Sequence, residues 1–248
     1  MEYKNVKGII VREAKYKESD KIFTVVTDAL GKISVMAKGV SKLNSKNFGL
    51  SSLALCEMDL KELGDGFYVV TGYSKAIDFF DITKDLENHC YVNYILNLAN
   101  DLFLEGDPFP ELFKLLINTV YLYMAGKKNR ELLKCIFELR ALTLSGYAID
   151  IDGCAYCESE EISYINLYEG ACFCENCGNE DMGRKVSSSV MTAIKHITYS
   201  DEAKLFSFTM GDKLIRELSI ITTNYIKICL EKEYSSLKYL RSIQKGMK

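Results

Sequence analysis

The chain is poor in the residues and motifs that enzymes commonly use for catalysis. It has only two histidines, His89 and His196, and each falls in a helical stretch without a recognisable catalytic partner. Neither of the Gly-rich phosphate-binding signatures, G-x-x-x-x-G-K-[ST] and G-x-G-x-x-G, occurs in the sequence. A G-x-S-x-G nucleophile elbow is also missing. No catalytic constellation is therefore readable in the sequence.

Long apolar runs and export signals are missing as well. No run approaches the roughly 20 apolar residues that span a bilayer, and the start, MEYKNVKGII, lacks the layout of a signal peptide. We therefore expect a soluble cytoplasmic protein without a membrane partner. Thiols stay reduced in that compartment. The scattered cysteines among apolar neighbours are expected to be buried thiols: Cys56, Cys90, Cys135 and Cys229.

Charge is nearly balanced over the chain but unevenly distributed along it. The sequence has 31 basic and 34 acidic residues, for a net charge of -3. Its first 50 residues carry ten Lys or Arg and five Asp or Glu, a net of +5, so the remainder carries -8. A mildly acidic protein with one basic end is typical of a chain with more than one kind of partner.

The first 80 residues predict a small β-barrel domain. Five short segments are rich in β-branched residues or alternate in polarity, and polar or Gly-containing turns separate them. The predicted strands are 6–12, 22–27, 32–37, 54–61 and 67–73. Five strands in so short a stretch, with one long connection between the third and the fourth, favour an OB-fold barrel.

From about residue 85 the apolar period becomes helical. The predicted helices are 86–104, 111–124, 130–145, 187–198, 211–231 and 235–243. Only two prolines occur, Pro108 and Pro110, and they separate the first two helices. We therefore predict a multi-domain α+β protein, with an OB-fold domain over 1–80 and a helical domain over 81–248. A metal-binding module at about 150–180 interrupts the helices.

The long connection between the third and fourth strands is basic. From Gly31 to Leu50 the sequence has four lysines, at 32, 38, 42 and 46, and no acidic residue. Glycine, serine and asparagine make the connection flexible by composition. A flexible basic segment beside a barrel face suits binding to a phosphate backbone. The alternative is a solvated loop that only keeps the domain soluble.

Two C-x-x-C pairs predict a metal site. Cys154 and Cys157 form the first pair, and Cys174 and Cys177 form the second, sixteen residues further on. Four thiolates make a closed tetrahedral site, for which Zn²⁺ is the expected ion and iron the alternative. A closed shell leaves no position for a catalytic water, so the zinc is expected to be structural, one per chain. Disulfides or unpaired thiols are the remaining alternatives, and Cys172 is left outside the set.

Several ordered segments resemble the RecO family of bacterial DNA repair proteins. They are GIIVREAKYKESDKIFTVVTDALGKISVMAKGVSK, LFKLL, FELRALTLSGY and GACFCENC. In the first, E-S-D precedes the second strand, T-x-x-x-G-K precedes the third, and A-K-G follows it, in the family's order. The resemblance covers nearly the whole chain. It implies an N-terminal OB barrel, a helical domain and a zinc knuckle.

The resemblance also implies a non-enzymatic recombination mediator that acts at the nucleoid. Such proteins bind single- and double-stranded DNA and anneal complementary strands. They work with RecR, and in some bacteria RecF, to load RecA onto strands coated by single-stranded-DNA-binding protein. The DNA-binding role falls on Lys38, Lys42 and Lys46, with Lys32 just before them. Family members often carry arginine in this segment, whereas lysine contacts phosphate as a point charge only.

Arg140 interrupts an apolar face of the third predicted helix, formed by Leu133, Ile136, Phe137 and Leu144. Its stem either packs while the guanidinium reaches water, or the guanidinium receives an anion beside an apolar groove. In the second interpretation the resemblance implies the ligand. The acidic tail of single-stranded-DNA-binding protein ends in an apolar residue with a free carboxylate, which Arg140, Phe137 and Leu133 would bind.

Two other functional classes remain open from the sequence. A zinc-containing transcription factor would need a helix whose side chains contact base edges, and none is evident. A protein-interaction scaffold would carry the lysines only for solubility. Salt-dependent DNA binding distinguishes a mediator from a scaffold, and binding without sequence preference distinguishes it from a transcription factor.

Overall fold

A computed structural model describes residues 1–64 and 66–246 of the chain. The chain divides into two compact units. The first unit is Met1–Gly126 together with the segment that begins at Tyr234, and the second is Lys127–Glu233. Over the described residues, no helix has both the length and the apolar character needed to cross a bilayer. The last two residues of the predicted helical domain, 247 and 248, lie outside the described part.

Five strands of the first unit form the predicted barrel. They are β1 (Glu2–Lys15), β2 (Lys21–Thr27), β3 (Lys32–Ala37), β4 (Ala54–Gly64) and β5 (Phe67–Asp78). The barrel closes in the order β1-β2-β3-β5-β4, with β3 and β5 parallel and the other neighbours antiparallel. This arrangement confirms the OB-like barrel. The long β1 pairs with both β2 and β4, which lets the sheet close on itself.

The barrel core follows from the alternation of apolar residues. Along β3, Ile33, Val35 and Ala37 are buried, whereas the residues between them are partly exposed. Gly8 on β1 gives the core room, because a Cβ there would lie 2.7 Å from Cγ1 of Val25. A side chain at this position would force the neighbouring strand away.

Within residues 1–64 and 66–246, seven α-helices follow a short 3₁₀ helix at Phe80–Lys84. They are α1 (Leu86–Leu102), α2 (Pro110–Ala125), α3 (Arg130–Leu144), α4 (Ser188–Tyr199), α5 (Glu202–Leu205), α6 (Asp212–Leu230) and α7 (Ser235–Gly246). Local signals set several ends. The Asp85 side chain accepts a hydrogen bond from the Asn88 N–H at the start of α1, and Pro110 occupies the first turn of α2. Gly126 ends α2 with φ of 65°.

The boundary between the compact units differs from the predicted domain boundary. The barrel ends at Asp78, close to the predicted position 80, but the first unit continues to Gly126. Helix α1 packs on β1, and α7 returns to pack on α1. There the Tyr234 hydroxyl donates to Asp101 at 2.7 Å, and the Tyr94 and Tyr234 rings meet edge to face. These contacts attach α1 and α7 to the barrel, and α2 belongs to the same unit.

The second unit contains the remaining helices and the cysteine module. Helix α3 packs against α6 and α4, and a buried ion pair between Lys134 and Glu138 lies at the α3–α6 contact. Between α3 and α4 the chain forms three short strands. They are β6 (Tyr164–Asn166), β7 (Ala171–Phe173) and β8 (Arg184–Lys185), in the order β7-β6-β8. The expected interruption of the helices by a cysteine module is therefore confirmed.

Candidate metal centre and nucleic-acid interface

The four predicted cysteines come together in the second unit. The Sγ atoms of Cys154, Cys157, Cys174 and Cys177 all lie within 4.8 Å of one another, and those of Cys157 and Cys174 are 3.7 Å apart. A tetrahedral ion with metal–sulfur bonds of about 2.3 Å spaces its sulfurs about 3.8 Å apart. The cluster therefore fits a metal ion held by four thiolates.

Two tight turns aim the cysteines at one point. The Glu158 N–H donates to the Cys154 carbonyl in the first turn, and the Gly178 N–H donates to the Cys174 carbonyl in the second, at 2.8 and 2.9 Å. Gly178 is required for space, because a Cβ there would lie 2.8 Å from both Phe173 and Tyr164. The turn thus packs directly on the aromatic residues of the small sheet.

The protein environment already favours thiolates at part of this cluster. The backbone N–H of Cys174 is the main cause that lowers the pKa of Cys154 to about 6. Cys177 behaves in the opposite way, because its contact with the Cys157 thiol raises its pKa to about 12. A divalent cation would favour the ionised form of all four and release their protons.

Cys172 lies outside the cluster, as the spacing predicted. It is buried on β7, and burial raises its pKa to about 12. Of the cysteines predicted as buried thiols, Cys56, Cys90 and Cys135 are buried, whereas Cys229 is half-buried.

The basic β3–β4 connection is a series of hydrogen-bonded turns rather than the flexible loop expected from its composition. Backbone N–H groups of Lys42, Ser45 and Phe48 each donate to the carbonyl three residues earlier, at 2.9 to 3.1 Å. The buried Asn47 side chain donates to the Lys38 carbonyl at 3.1 Å and so ties the two ends of these turns. Short polar side chains that bond the backbone make the segment ordered.

The four predicted DNA-binding lysines fall into two groups. Lys38, Lys42 and Lys46 are exposed on the turns of the connection. Lys32 is partly buried on β3, and its Nζ donates to the Asn100 carbonyl at 2.9 Å. That carbonyl lies in the last turn of α1, where main-chain oxygens lack helical partners. The structure therefore gives Lys32 a capping contact that the sequence did not predict.

A second segment joins the lysine turns at the same edge of the barrel. The β1–β2 turn exposes Lys15, Tyr16 and Lys17. Asp20 links it to the connection, because its Oδ1 accepts from the Gly39 N–H at 2.9 Å. This hydrogen bond is the main cause that lowers the pKa of Asp20. The sequence reasoning missed these residues, although strand pairing places the start of β2 beside the end of β3.

We give the name barrel-edge surface to these two segments, the β1–β2 turn and the β3–β4 connection. Its exposed cations are Lys15, Lys17, Lys38, Lys42 and Lys46. The nearby Glu13 carboxylate is paired with Lys21 at 2.9 Å. Five exposed ammonium groups against one exposed acid, Glu18, make the surface strongly positive.

The residues of the predicted tail receptor do not form an open slot. Leu133 and Phe137 are buried in the second unit, at 1% and 0% exposure. The Arg140 guanidinium donates to the carbonyls of Ile197 and Thr198 at the end of α4. Neither a free guanidinium nor an exposed apolar groove is therefore available at this place. Arg140 is partly buried, and its guanidinium, which the first interpretation expected to reach water, binds these carbonyl oxygens.

Comparison with known proteins agrees with this architecture. A family model described as Recombination protein O N terminal matches residues 1–74, and one described as Recombination protein O C terminal matches residues 83–238. A DNA repair protein RecO from Acetivibrio thermocellus is 30% identical over 250 residues, covering 99% of both chains. One from Caldicellulosiruptor bescii is 31% identical and covers 96% of this chain and 98% of its own. The chain belongs to the RecO family of DNA repair proteins.

Proposed function

We propose that the protein is a DNA-binding recombination mediator and that the barrel-edge surface binds the phosphate backbone. The observation that carries the proposal is the grouping of Lys15, Lys17, Lys38, Lys42 and Lys46 on two hydrogen-bonded segments. Ammonium groups that neutralise phosphates release condensed counterions, so binding is strong at low salt and largely independent of sequence. Such contacts suit both single- and double-stranded DNA.

The proposed role within repair is non-enzymatic. The protein would anneal complementary strands and help to load RecA onto DNA coated by single-stranded-DNA-binding protein. Its proposed partners are RecR, the tail of single-stranded-DNA-binding protein, and in some settings RecF and RecA. Such a protein acts at the chromosome, in the cytoplasm. Family membership supports this part of the proposal, whereas Arg140, Phe137 and Leu133 do not, because Leu133 and Phe137 are buried and the Arg140 guanidinium is bonded.

The proposed ion in the four-cysteine cluster is a structural Zn²⁺. Four soft sulfur ligands at tetrahedral spacing favour zinc. All four protein ligands would be thiolates, so a bound zinc would have no open position for water or substrate. Its contribution would be to hold the turns at Cys154 and Cys174 together and so to stabilise the module.

Fluorescence anisotropy with labelled DNA tests the proposed binding. Lys38, Lys42 and Lys46 changed together to Ala should weaken binding to every sequence alike. The dependence of log K on log salt should become shallower by roughly 0.7–0.9 per lost contact. A matched control replaces three exposed lysines of the second unit, Lys127, Lys204 and Lys213, and changes the net charge equally. Equal loss in both triple variants would show a general charge effect and contradict the assignment.

Strand annealing tests the mediator role. Wild-type protein should accelerate pairing of complementary strands, with and without single-stranded-DNA-binding protein, and the lysine variant should not. Tight binding to one sequence alone would indicate a transcription factor instead. Absence of DNA binding at low salt would indicate a protein-interaction scaffold.

A further inference from the structure

We propose that Tyr16 and Phe48 on the barrel-edge surface stack with unpaired bases, so that this surface prefers single-stranded DNA. This inference rests on the proposed DNA binding and adds a second kind of contact to it. Tyr16 is 53% exposed and lies between Lys15 and Lys17, and Phe48 is 45% exposed and lies two residues after Lys46. A surface with exposed aromatic rings and five exposed cations has the two features that bind single strands. The rings can stack with bases, and the ammonium groups can contact the phosphate backbone of the DNA.

Phe48 is held in place by its backbone. Its N–H donates to the Ser45 carbonyl at 3.1 Å, and its carbonyl accepts from the Tyr73 hydroxyl at 2.7 Å. The neighbouring Gly49 N–H donates to the Val40 carbonyl at 3.3 Å. An exposed ring on a fixed backbone loses little conformational entropy when a base covers it. A loop that only keeps the domain soluble does not require these three backbone hydrogen bonds.

Tyr16 has a comparable setting on the β1–β2 turn. Its N–H donates to the Asp20 carbonyl at 3.1 Å, and the Lys17 ammonium lies 5.4 Å from its ring centroid. Asp20 in turn accepts from the Gly39 N–H of the β3–β4 connection. The two rings therefore stand on segments that share Asp20 as a common hydrogen-bond partner.

The strand preference follows from the state of the bases. In duplex DNA the base faces are covered by neighbouring base pairs, so an exposed aromatic ring gains little there. In a single strand the faces are free, and each ring that stacks strengthens binding by roughly five- to a hundredfold. Leu43 is 81% exposed on the same connection as Phe48. The lysines bind both single- and double-stranded DNA, whereas the rings strengthen binding to single strands only.

Alanine substitutions test the preference. Tyr16→Ala and Phe48→Ala should each weaken binding to an oligo-dT by roughly five- to a hundredfold. Binding to a duplex of equal length should change by less than about twofold, because phosphate contacts remain. The control is Tyr121→Ala, which removes an equally exposed aromatic ring from α2 and should change neither affinity. Phe48→Leu keeps an apolar side chain without the ring and should resemble Phe48→Ala.

A fluorescence measurement reports the stacking itself. The chain contains no tryptophan, so Phe48→Trp places a single indole in the protein. Its emission should be quenched by oligo-dT and unchanged by duplex, whereas Tyr121→Trp should respond to neither. Equal quenching by both DNA forms, or none by oligo-dT while DNA is bound, would overturn the stacking proposal.

The outcomes separate this inference from the proposed function. Loss of binding in the lysine variant with unchanged binding in the Tyr16 and Phe48 variants would overturn base stacking alone. Undiminished binding in the lysine variant would remove the proposed phosphate surface, whatever the aromatic variants do. Loss of single-strand binding in both sets, with duplex binding reduced only by the lysine change, is the expected result.

Discussion

The ammonium of Lys134 lies 2.8 Å from Oε2 of Glu138, one helical turn further along α3, and both side chains are excluded from solvent. Thr222 of α6 donates to the same carboxylate oxygen at 2.6 Å, and Thr223 accepts from Lys134 at 3.0 Å. Each member of the pair therefore has a further hydrogen-bond partner on α6. A buried pair of this kind is costly to break from one side, because the remaining charge has no solvent to stabilise it.

Glu138→Gln should destabilise the second unit by about 3 kcal/mol, because it keeps the shape and leaves the buried ammonium with only the partly exposed Glu131 carboxylate, 3.2 Å away. Lys134→Met combined with Glu138→Gln should recover most of this loss, since no buried charge remains. Urea unfolding measures both. The matched control, Glu175→Gln, breaks the exposed pair with Lys185 and should leave stability within error. An equal loss in the single and double variants would contradict this account.

The Lys134–Glu138 pair also predicts a pH dependence. Burial disfavours the Lys134 ammonium, but the Glu138 and Glu131 carboxylates outweigh that effect and raise its pKa above the ordinary 10.5. A raised lysine pKa contributes stability that is fully present below the unfolded-state value and is lost as pH rises through the folded-state value. The advantage of wild type over the Lys134→Met variant should be constant from pH 7 to 10 and should decline above about 10.5.

Lys32→Ala should lower stability rather than DNA affinity. Its ammonium donates to the Asn100 carbonyl at the end of α1, a charged hydrogen bond whose loss costs roughly 1.5–3 kcal/mol. Thermal unfolding and DNA titration of the same variant separate the two effects. Lys42→Ala is the comparison and should show the reverse pattern, with weaker DNA binding and unchanged stability. If the Lys32 variant binds DNA as poorly as the Lys42 variant, Lys32 is part of the DNA interface and this prediction is wrong.

Protein variants changed at Cys172 and at Cys174, only two positions apart, should differ in zinc content. Cys174→Ser removes a predicted ligand and should abolish stoichiometric zinc in protein purified without chelator. Cys172→Ala removes a buried thiol outside the cluster and should retain one zinc per chain. Metal analysis by atomic emission decides between them. Zinc loss in both variants, or in neither, would count against the assigned ligand set.

Asp20→Ala should loosen the lysine turns, because the Gly39 N–H loses its acceptor. Limited trypsin digestion should then cut more rapidly after Lys38, Lys42 and Lys46, as mass spectrometry of the fragments would show. Asp20→Asn keeps an acceptor oxygen and is the control. The pKa of Asp20 is lowered, so its contribution is present at neutral pH and is lost as pH falls through that pKa. Unchanged cleavage rates in Asp20→Ala would show that the turns hold without it.

Arg140→Ala should destabilise the second unit, because two carbonyls at the end of α4 lose a charged donor. The expected cost is roughly 1.5–3 kcal/mol, measured by urea unfolding. Arg140→Lys should recover only part of it, since an ammonium on a different stem cannot reproduce the guanidinium geometry. Arg216→Ala, at an exposed position on α6, is the control. A stable Arg140→Ala variant would show that the capping contact contributes little.

The sequence predicted those parts of the fold that local patterns encode. β-branched runs, alternation and turn signals identified the five barrel strands, and helical period identified six of the seven α-helices within the described residues but not the four-residue α5. The strands β6, β7 and β8 were missed because two or three residues give no readable period. The division into compact units at Gly126 is information of a different kind. It depends on which faces of α1, α2 and α7 meet, which no local pattern records.

The same division applies to the candidate sites. Two C-x-x-C pairs are a local signal, so the four cysteines were identified from spacing and the structure brings them together. Contacts between distant residues were not predicted. Lys32 meets Asn100 across 68 positions, and Asp20 meets Gly39 across 19. Such contacts depend on strand register and helix packing, so lysines that look alike in sequence have different contacts in the structure.

The return of α7 to α1 has a consequence for the order in which the protein is made. The chain leaves the first unit at Gly126 and re-enters it at Tyr234, so the second unit is an insertion within the first. On the ribosome the second unit emerges whole before α7 does. Until then, the surface of α1 that Tyr234 and Gln244 cover in the folded protein is exposed. In the folded protein Gln244 donates to the Tyr91 hydroxyl at 3.0 Å, and the Tyr234 ring meets Tyr94. The unit translated first is therefore completed after the one translated second.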